Sequence, residues 1–184
     1  RWPTSGLPSG RRRVRTVAEK LRLLLIEDSE SDAILILKEL ERGGFEVVNT
    51  RVATAGGVAT ALKEEQFDLA ISDFVMPGFS GMEALRVLQE NDTDIPCIMI
   101  SGQVGEERAV EAMRAGAVDF VLKDNLSRLI PAIRRELRDA ETRRKHREAE
   151  EKLAESEAMY RKLVENAGEG IAVVQDGRFR YVNQ

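Results

Sequence analysis

Between residues 21 and 122, five short apolar runs alternate with longer stretches in which apolar residues recur every three or four positions. Near-continuous apolar strands need cover on both faces, and helices crossing between parallel strands supply it. The runs at 21–26, 45–53, 67–74, 95–100 and 117–122 read as strands. The stretches at 29–40, 54–66, 80–89 and 106–115 read as helices. Ser29 and Thr54 suit N-caps, and Ala33, Ile34, Leu37 and Leu40 give the first helix an apolar stripe. Gly43-Gly44 and Gly116 end helices, Pro77-Gly78 bounds the third strand, and Pro96 opens the fourth, where a missing N–H is tolerated. Right-handed crossovers then predict a flavodoxin-like (βα)5 fold, an α/β parallel five-stranded sheet with helices on both faces. Ligands of such sheets sit beyond the carboxyl ends of the strands.

Composition narrows the classes. The chain has 184 residues, 42% hydrophobic and 33% charged, with a net charge of −4, so it holds material for one ordinary core plus extensions. No apolar run approaches the about 20 residues needed to cross a bilayer. The run ending at Ile26 stops at Glu27-Asp28, too short for a signal peptide. The single cysteine, Cys97, excludes an internal disulfide framework and a multi-cysteine zinc site, and its strand position makes it a core residue. A cytoplasmic protein is expected. Residues 1–20 carry a net +5, residues 21–124 a net −11 and residues 125–184 a net +2. The acidic middle argues against nucleic acid as a partner. The Arg-rich leader, 1–20, reads as disordered, with an arm for nucleic acid or anionic lipid as its alternative. A chain starting at Arg1 reads as a fragment or processed product.

The polar residues that end the strands carry the chemistry. The first strand ends at Glu27 and Asp28, the third at Asp73, the fourth at Ser101, and the fifth at Lys123. One such residue alone would be a turn or cap residue; agreement at four strand ends points to one crevice. Three crowded carboxylates repel when ionised, and a hard dication relieves that. The oxygen-only donor set suits Mg²⁺ and lacks the His and Cys of a zinc site. Asp28 and Asp73 would hold the ion, with Glu27 acting partly through water. Lys123 supplies positive charge and Ser101 a hydrogen bond for phosphoryl oxygens. Asp73, central in the sheet and followed by a Pro-Gly loop, is the best nucleophile for an aspartyl phosphate. A phosphatase of the aspartyl-phosphate type would want a second carboxylate two residues on, where Val75 stands.

The order Glu27-Asp28, Asp73 with Met76-Pro77 and Gly81, Ser101 and Lys123 resembles the receiver domain of two-component response regulators, over residues 21–125. The resemblance implies Mg²⁺ held by the acidic pair, Asp73 and the backbone carbonyl of Val75. It implies a switch in which Ser101 senses the phosphoryl group and Phe120 turns inward. A histidine kinase or phosphotransfer protein would donate the phosphoryl group. The fragment's own catalysis would be limited to phosphorylation and dephosphorylation of Asp73. Two departures stand out. Asp124 follows Lys123 where the family commonly has a cis-Pro, and Phe120 lacks a terminal hydroxyl. The alternative is a degenerate receiver-like fold acting as a phosphorylation-independent dimerisation or interaction module.

Residues 126–167 carry helical spacing and are read as a long coiled-coil linker. As one helix they would span about 63 Å. The sevens Leu126, Ile133, Ala140 and the pair Leu153, Tyr160 are separated by an interruption, so a register shift is expected. A parallel homodimer through this helix is the favoured partner. His146, the only histidine, is weighed as a kinase phosphoacceptor, but no Pro follows in the next turns, and a solvated surface histidine is preferred. Residues 168–184 resemble the opening of a PAS domain, a strand, a Gly turn and a second strand, too short to close a core. The chain therefore reads as cut from a larger signalling protein, whose missing part is a sensor kinase or a cyclic-dinucleotide enzyme.

Overall fold

Leu23, Leu24, Leu25 and Ile26 are each fully buried, which only a strand covered on both faces allows. The computed structural model describes residues 18–91, 94–102, 105–165 and 172–182. The 1–17 part of the leader lies outside them, as do 166 and 167 of the linker and 168–171, 183 and 184 of the last segment. By its contacts the chain divides into two units, Arg1–Leu137 and Arg138–Gln184.

The first unit alternates strands and helices in the expected order: β1 (Glu19–Ile26), α1 (Glu30–Arg42), β2 (Phe45–Val52), α2 (Ala55–Glu64), β3 (Leu69–Asp73), α3 (Gly81–Glu90), β4 (Cys97–Ser101), α4 (Glu106–Arg114) and β5 (Asp119–Leu122). A 3₁₀ segment (Lys123–Arg128) leads into α5 (Leu129–Glu165). The five strands are parallel, in the order β2-β1-β3-β4-β5, which is the flavodoxin-like arrangement. A two-residue antiparallel bridge, Val75–Met76 with Phe79–Ser80, sits between β3 and α3.

Alternation along each strand divides the core in two. Leu24, Ile26, Ala70 and Met99 pack with Val58, Leu85, Leu88 and Ala112, under α2, α3 and α4. Leu23, Leu25, Ile71, Ile98 and Val121 pack with Ile36, Leu40, Leu129 and Ile133, under α1 and the start of α5. Each fully buried Leu or Ile contributes about 1.5–3 kcal/mol relative to an exposed one. Burial pushes the Cys97 thiol up to about 12, so it is an inert core residue, as read from the sequence.

Ser29 caps α1, accepting from the Asp32 N–H, and Thr54 caps α2, accepting from Gly57 N–H. Several bounds differ from the sequence reading. β1 starts two residues early, because the Glu19 N–H reaches the Gly44 carbonyl at 3.1 Å. Gly44 can turn the chain there with φ +90°. In α1 the buried stripe is Ala33, Ile36 and Leu40, while Ile34 is exposed. The last helix starts at Leu129 instead of 126, since Asn125 has non-helical φ −131° and ψ 50°.

In the second unit, α5 is exposed along residues 141–163. Pairs one turn apart support it, such as Lys145–Glu141 at 2.7 Å and Arg144–Glu148 at 3.6 Å. His146 is exposed beside Glu150, the arrangement of a surface histidine. An antiparallel hairpin, β6 (Ala172–Gln175) and β7 (Arg178–Val182), follows. Asp176 and Gly177 both have positive φ, 53° and 72°, the turn geometry that matches strand twist. The heptad interruption has a physical cause. Ile133 is buried in the first unit's core and Leu126 packs against it, whereas Leu153, Tyr160 and Leu163 are exposed.

Gly81 tests the loop after β3. A Cβ there would meet the Asp73 carbonyl oxygen at 2.5 Å and the Met99 sulfur at 2.9 Å. Gly81→Ala is expected to cost about 1–3 kcal/mol by overpacking. Gly56→Ala, in α2 with nothing within 4 Å, is expected to stabilise by about 0.5–1 kcal/mol. Urea denaturation of both variants measures the contrast.

Candidate functional site

Four elements deliver charged side chains to one edge of the sheet. Asp73 ends β3, the middle strand, and is 8% exposed. Its Oδ1 accepts from the Val75 N–H at 3.2 Å, and its Oδ2 accepts from Lys123 Nζ at 2.7 Å. Glu27 follows β1 and is fully buried. Its Oε1 accepts from the Ser29 N–H at 3.0 Å and its Oε2 from Lys123 at 2.9 Å. Asp32, in the first turn of α1, accepts from the same ammonium at 2.5 Å. Lys123 lies immediately after β5 with its side chain 20% exposed. Strand order makes this convergence possible, because β1 and β3 are neighbours and β5 lies two strands further along.

The electrostatics follow from burial and pairing. Burial raises the Glu27 carboxyl above its ordinary value; bonds from Lys123 and Ser29 oppose that, and the Asp73 charge adds to it. For Lys123, burial acts against the charged form. Bonds to Asp32, Asp73 and Glu27, with the Asp73 charge, outweigh burial and hold the ammonium above the ordinary lysine range.

The donor set matches a hard cation. One oxygen from each of Glu27, Asp32 and Asp73 lies within 4.8 Å of the others. Three carboxylates against one ammonium leave excess negative charge, and oxygen-only ligands suit Mg²⁺.

Other expected residues sit around this group. Asp28 is exposed and outside the three-carboxylate group. Arg51 donates to the carbonyls of both Glu27 and Asp28 at 3.2 Å, so it holds the acidic turn by its backbone. Val75 is exposed, two residues beyond Asp73, and pairs with Ser80. Ser101 ends β4, buried, opposite Leu122 of β5. Phe120 is half-buried, with its ring edge-on to Phe74 at 5.9 Å and 70°. Arg108 stands over the Phe74 ring at 5.7 Å. No peptide bond among the described residues is cis, in keeping with Asp124 after Lys123.

Asp32 and Arg51 are the residues that strand-end reasoning misses. A signal for Asp32 exists: it shares the i, i+4, i+8 line with Ile36 and Leu40, both buried. A carboxylate heading a buried stripe points along the core face toward the sheet edge.

Residues 23–134 match the family model described as the response regulator receiver domain. The chain is 34% identical over 147 residues to DctD of Pseudomonas aeruginosa, the C4-dicarboxylate transport transcriptional regulatory protein, covering 78% of this chain and 31% of DctD. It is 30% identical over 117 residues to the chemotaxis protein CheY of Bacillus subtilis, covering 63% of this chain and 97% of CheY. The chain thus spans about a third of the length of DctD, and 54% of the transcriptional regulatory protein YkoG of Bacillus subtilis. Among solved structures, FixJ-N is similar with a TM-score of 0.57 and 31% identity, covering 64% of this chain and 94% of that one. A CheY-like receiver domain protein from Methanospirillum hungatei has a TM-score of 0.57 and 28% identity, covering 68% and 99%.

Removing the ammonium tests the site's electrostatics. Lys123→Met leaves three carboxylates facing one another and is expected to cost about 2–4 kcal/mol at pH 7, near the loss of one partner of a buried pair. Uncompensated carboxylates bind protons more tightly folded than unfolded, so the variant's stability falls as pH rises through the carboxylate range. Its deficit is therefore expected to be largest near neutrality and to narrow toward pH 4.5, read by urea melts at both values.

Proposed function

The chain belongs to the response regulator receiver family, and from that membership we propose that it is the phosphoacceptor module of a two-component phosphorelay, with Asp73 as the acceptor. The observation that carries this reading is the Asp73 carboxylate at the carboxyl end of the central strand, one oxygen on Lys123 and the other on the Val75 N–H. In the transfer, an Asp73 oxygen bonds to phosphorus while the donor's bond to phosphorus breaks, P–N in a phosphohistidine or P–O in acetyl phosphate, and its electron pair leaves with the donor. A histidine kinase or phosphotransfer protein is the donor in the cell, and the module works in the cytoplasm.

Bound Mg²⁺ would supply charge neutralisation between the carboxylates and the phosphoryl oxygens. Asp28, Asp73, the Val75 carbonyl and Glu27 are the residues assigned to hold it. Support for Glu27 and Asp73 is their place in the all-oxygen group with Asp32 and its excess negative charge; Asp28 and the Val75 carbonyl are assigned from the family resemblance. Lys123 neutralises Asp73 and then a phosphoryl oxygen, and Ser101 donates a hydrogen bond to another.

Phosphorylation puts a group of about two negative charges at the sheet edge where the Asp73 carboxylate carried one. Ser101 and Phe120 form the switch: Ser101 moves toward the phosphoryl group and Phe120 packs inward by apolar contact, having no hydroxyl. β5 leads through the 3₁₀ segment into α5, and this continuity supports α5 as the output route. The apolar residues Leu153, Tyr160 and Leu163, exposed on α5, support a parallel homodimer through that helix. The final hairpin is assigned to the opening of a PAS domain, on the strand–turn–strand order of residues 172–182.

Intact mass after incubation with acetyl phosphate tests the acceptor. Wild type is expected to gain one phosphoryl group only when Mg²⁺ is present, and Asp73→Asn none. A folded wild type that gains none and forms no beryllofluoride complex would be a degenerate interaction module instead. For the helix, sedimentation equilibrium is expected to give a dimer for wild type and a monomer for the double variant Leu153→Ser, Tyr160→Ser.

A further inference from the structure

The Lys123 ammonium has three N–H bonds to give. Glu27, Asp73 and Asp32 take one each, at 2.9, 2.7 and 2.5 Å. The function above uses the first two and leaves Asp32 without a task. Resting on the reading of Asp73 as phosphoacceptor, we propose that Asp32 is a positioning residue that restrains Lys123 and must release it when a phosphoryl group arrives, so that its charge limits how fast and how fully Asp73 is phosphorylated.

The argument is one of donors and charge. A phosphoryl group on Asp73 brings new oxygens within reach of a lysine whose donors are all engaged. One existing bond has to yield. Glu27 is the costliest to displace: its side chain is fully buried and its other oxygen is tied to the Ser29 N–H. The Asp73 bond passes to one phosphoryl oxygen as Asp73 reacts, so the bond that yields for a second phosphoryl oxygen is one of the other two. The Asp32 side chain is 33% exposed, the most of the three, and stands in the first turn of α1, from where it can turn to water. Its release costs least, because the freed carboxylate can be hydrated. The same carboxylate repels the incoming group. Its oxygen lies within 4.8 Å of an Asp73 oxygen, and transfer puts about two negative charges where the Asp73 carboxylate carried one. Asp32 therefore opposes phosphorylation twice, by holding the donor and by like charge. The bond that forms is from an Asp73 oxygen to phosphorus, and the bond that breaks is the donor's bond to phosphorus, P–O in acetyl phosphate; Asp32 takes part in neither.

The test compares the 184-residue wild type, Asp32→Asn and Asp32→Glu with acetyl phosphate and Mg²⁺, following intact mass over time. Asp32→Asn keeps the shape but loses the charge. It is expected to phosphorylate about three- to tenfold faster and to a higher plateau, the scale of removing one like charge at a partly exposed site. Asp32→Glu, which keeps the charge, is expected to stay near wild type. A second readout needs neither metal nor phosphoryl donor: hydrogen exchange of the Lys123 ammonium by NMR is expected to quicken in Asp32→Asn. An Asp32→Asn rate equal to or below wild type overturns the proposal, the lower rate making Asp32 a helper of the site. Unchanged ammonium exchange also overturns it. Wild-type protein is the control that separates the two readings: if it takes a phosphoryl group at Asp73 and Asp32→Asn is no faster, this proposal fails alone. If wild type takes none, both fail.

Discussion

Lys123 joins three carboxylates that lie 96, 91 and 50 positions away in the chain. Charges brought together at the edge of an apolar sheet are costly because water is partly excluded. One ammonium with three donors offsets much of that cost, and it does so only if β1, α1, β3 and β5 are all in register. The buried faces of the strands fix that register, since a slip of one residue would turn each apolar side chain to the other face. Core and site are therefore one constraint: the layers set the distances, and the distances make the charges tolerable.

The backbone around the acids is built to the same end. Glu27 is gripped by its Oε1 bond to Ser29, its N–H bond to the Val52 carbonyl at 3.0 Å, and the Arg51 bond to its carbonyl. Asp73 is followed at once by Phe74, whose N–H reaches the Ile100 carbonyl at 2.7 Å, so β3 stays pinned to β4 up to Asp73. Gly81 then lets α3 begin within van der Waals reach of that strand end. The two acids differ in consequence. Glu27 sits where burial favours its neutral form, and Asp73 sits slightly more open, with one oxygen toward Lys123.

Much of this was legible in the sequence because strand-end chemistry and apolar runs are local signals. Glu27, Asp73 and Lys123 follow from where the apolar runs stop, and the strand order follows from handedness and count. Asp32 escaped because it is inside a helix, where an acidic first-turn residue is ordinary capping chemistry. Only the combination of its phase with Ile36 and Leu40 and the position of Lys123 gives it meaning, and the second is a tertiary fact. Arg51 escaped for a related reason: it bonds backbone carbonyls, which carry no residue-type signature. Ile34 was misassigned because both Ile34 and Ile36 fit an apolar helix, and only the direction of the sheet decides which faces it.

The long helix shows how one periodicity can hide two tasks. Its first turns put Leu129, Ala132 and Ile133 into the core beneath the sheet, so their spacing is that of a globular helix on a single partner. Beyond Leu137, where the first unit ends, apolar residues thin out and the charged stretch from Glu141 begins. Apolar spacing resumes at Leu153, on residues exposed to solvent. A single heptad drawn through both parts must break, since the two stripes answer to different surfaces. The break therefore falls where one continuous helix leaves the core of the first unit. The first turns are held by the same β5 and 3₁₀ segment that positions Lys123. Lys123 itself opens the segment that leads into the helix, with only Asp124 to Arg128 between them.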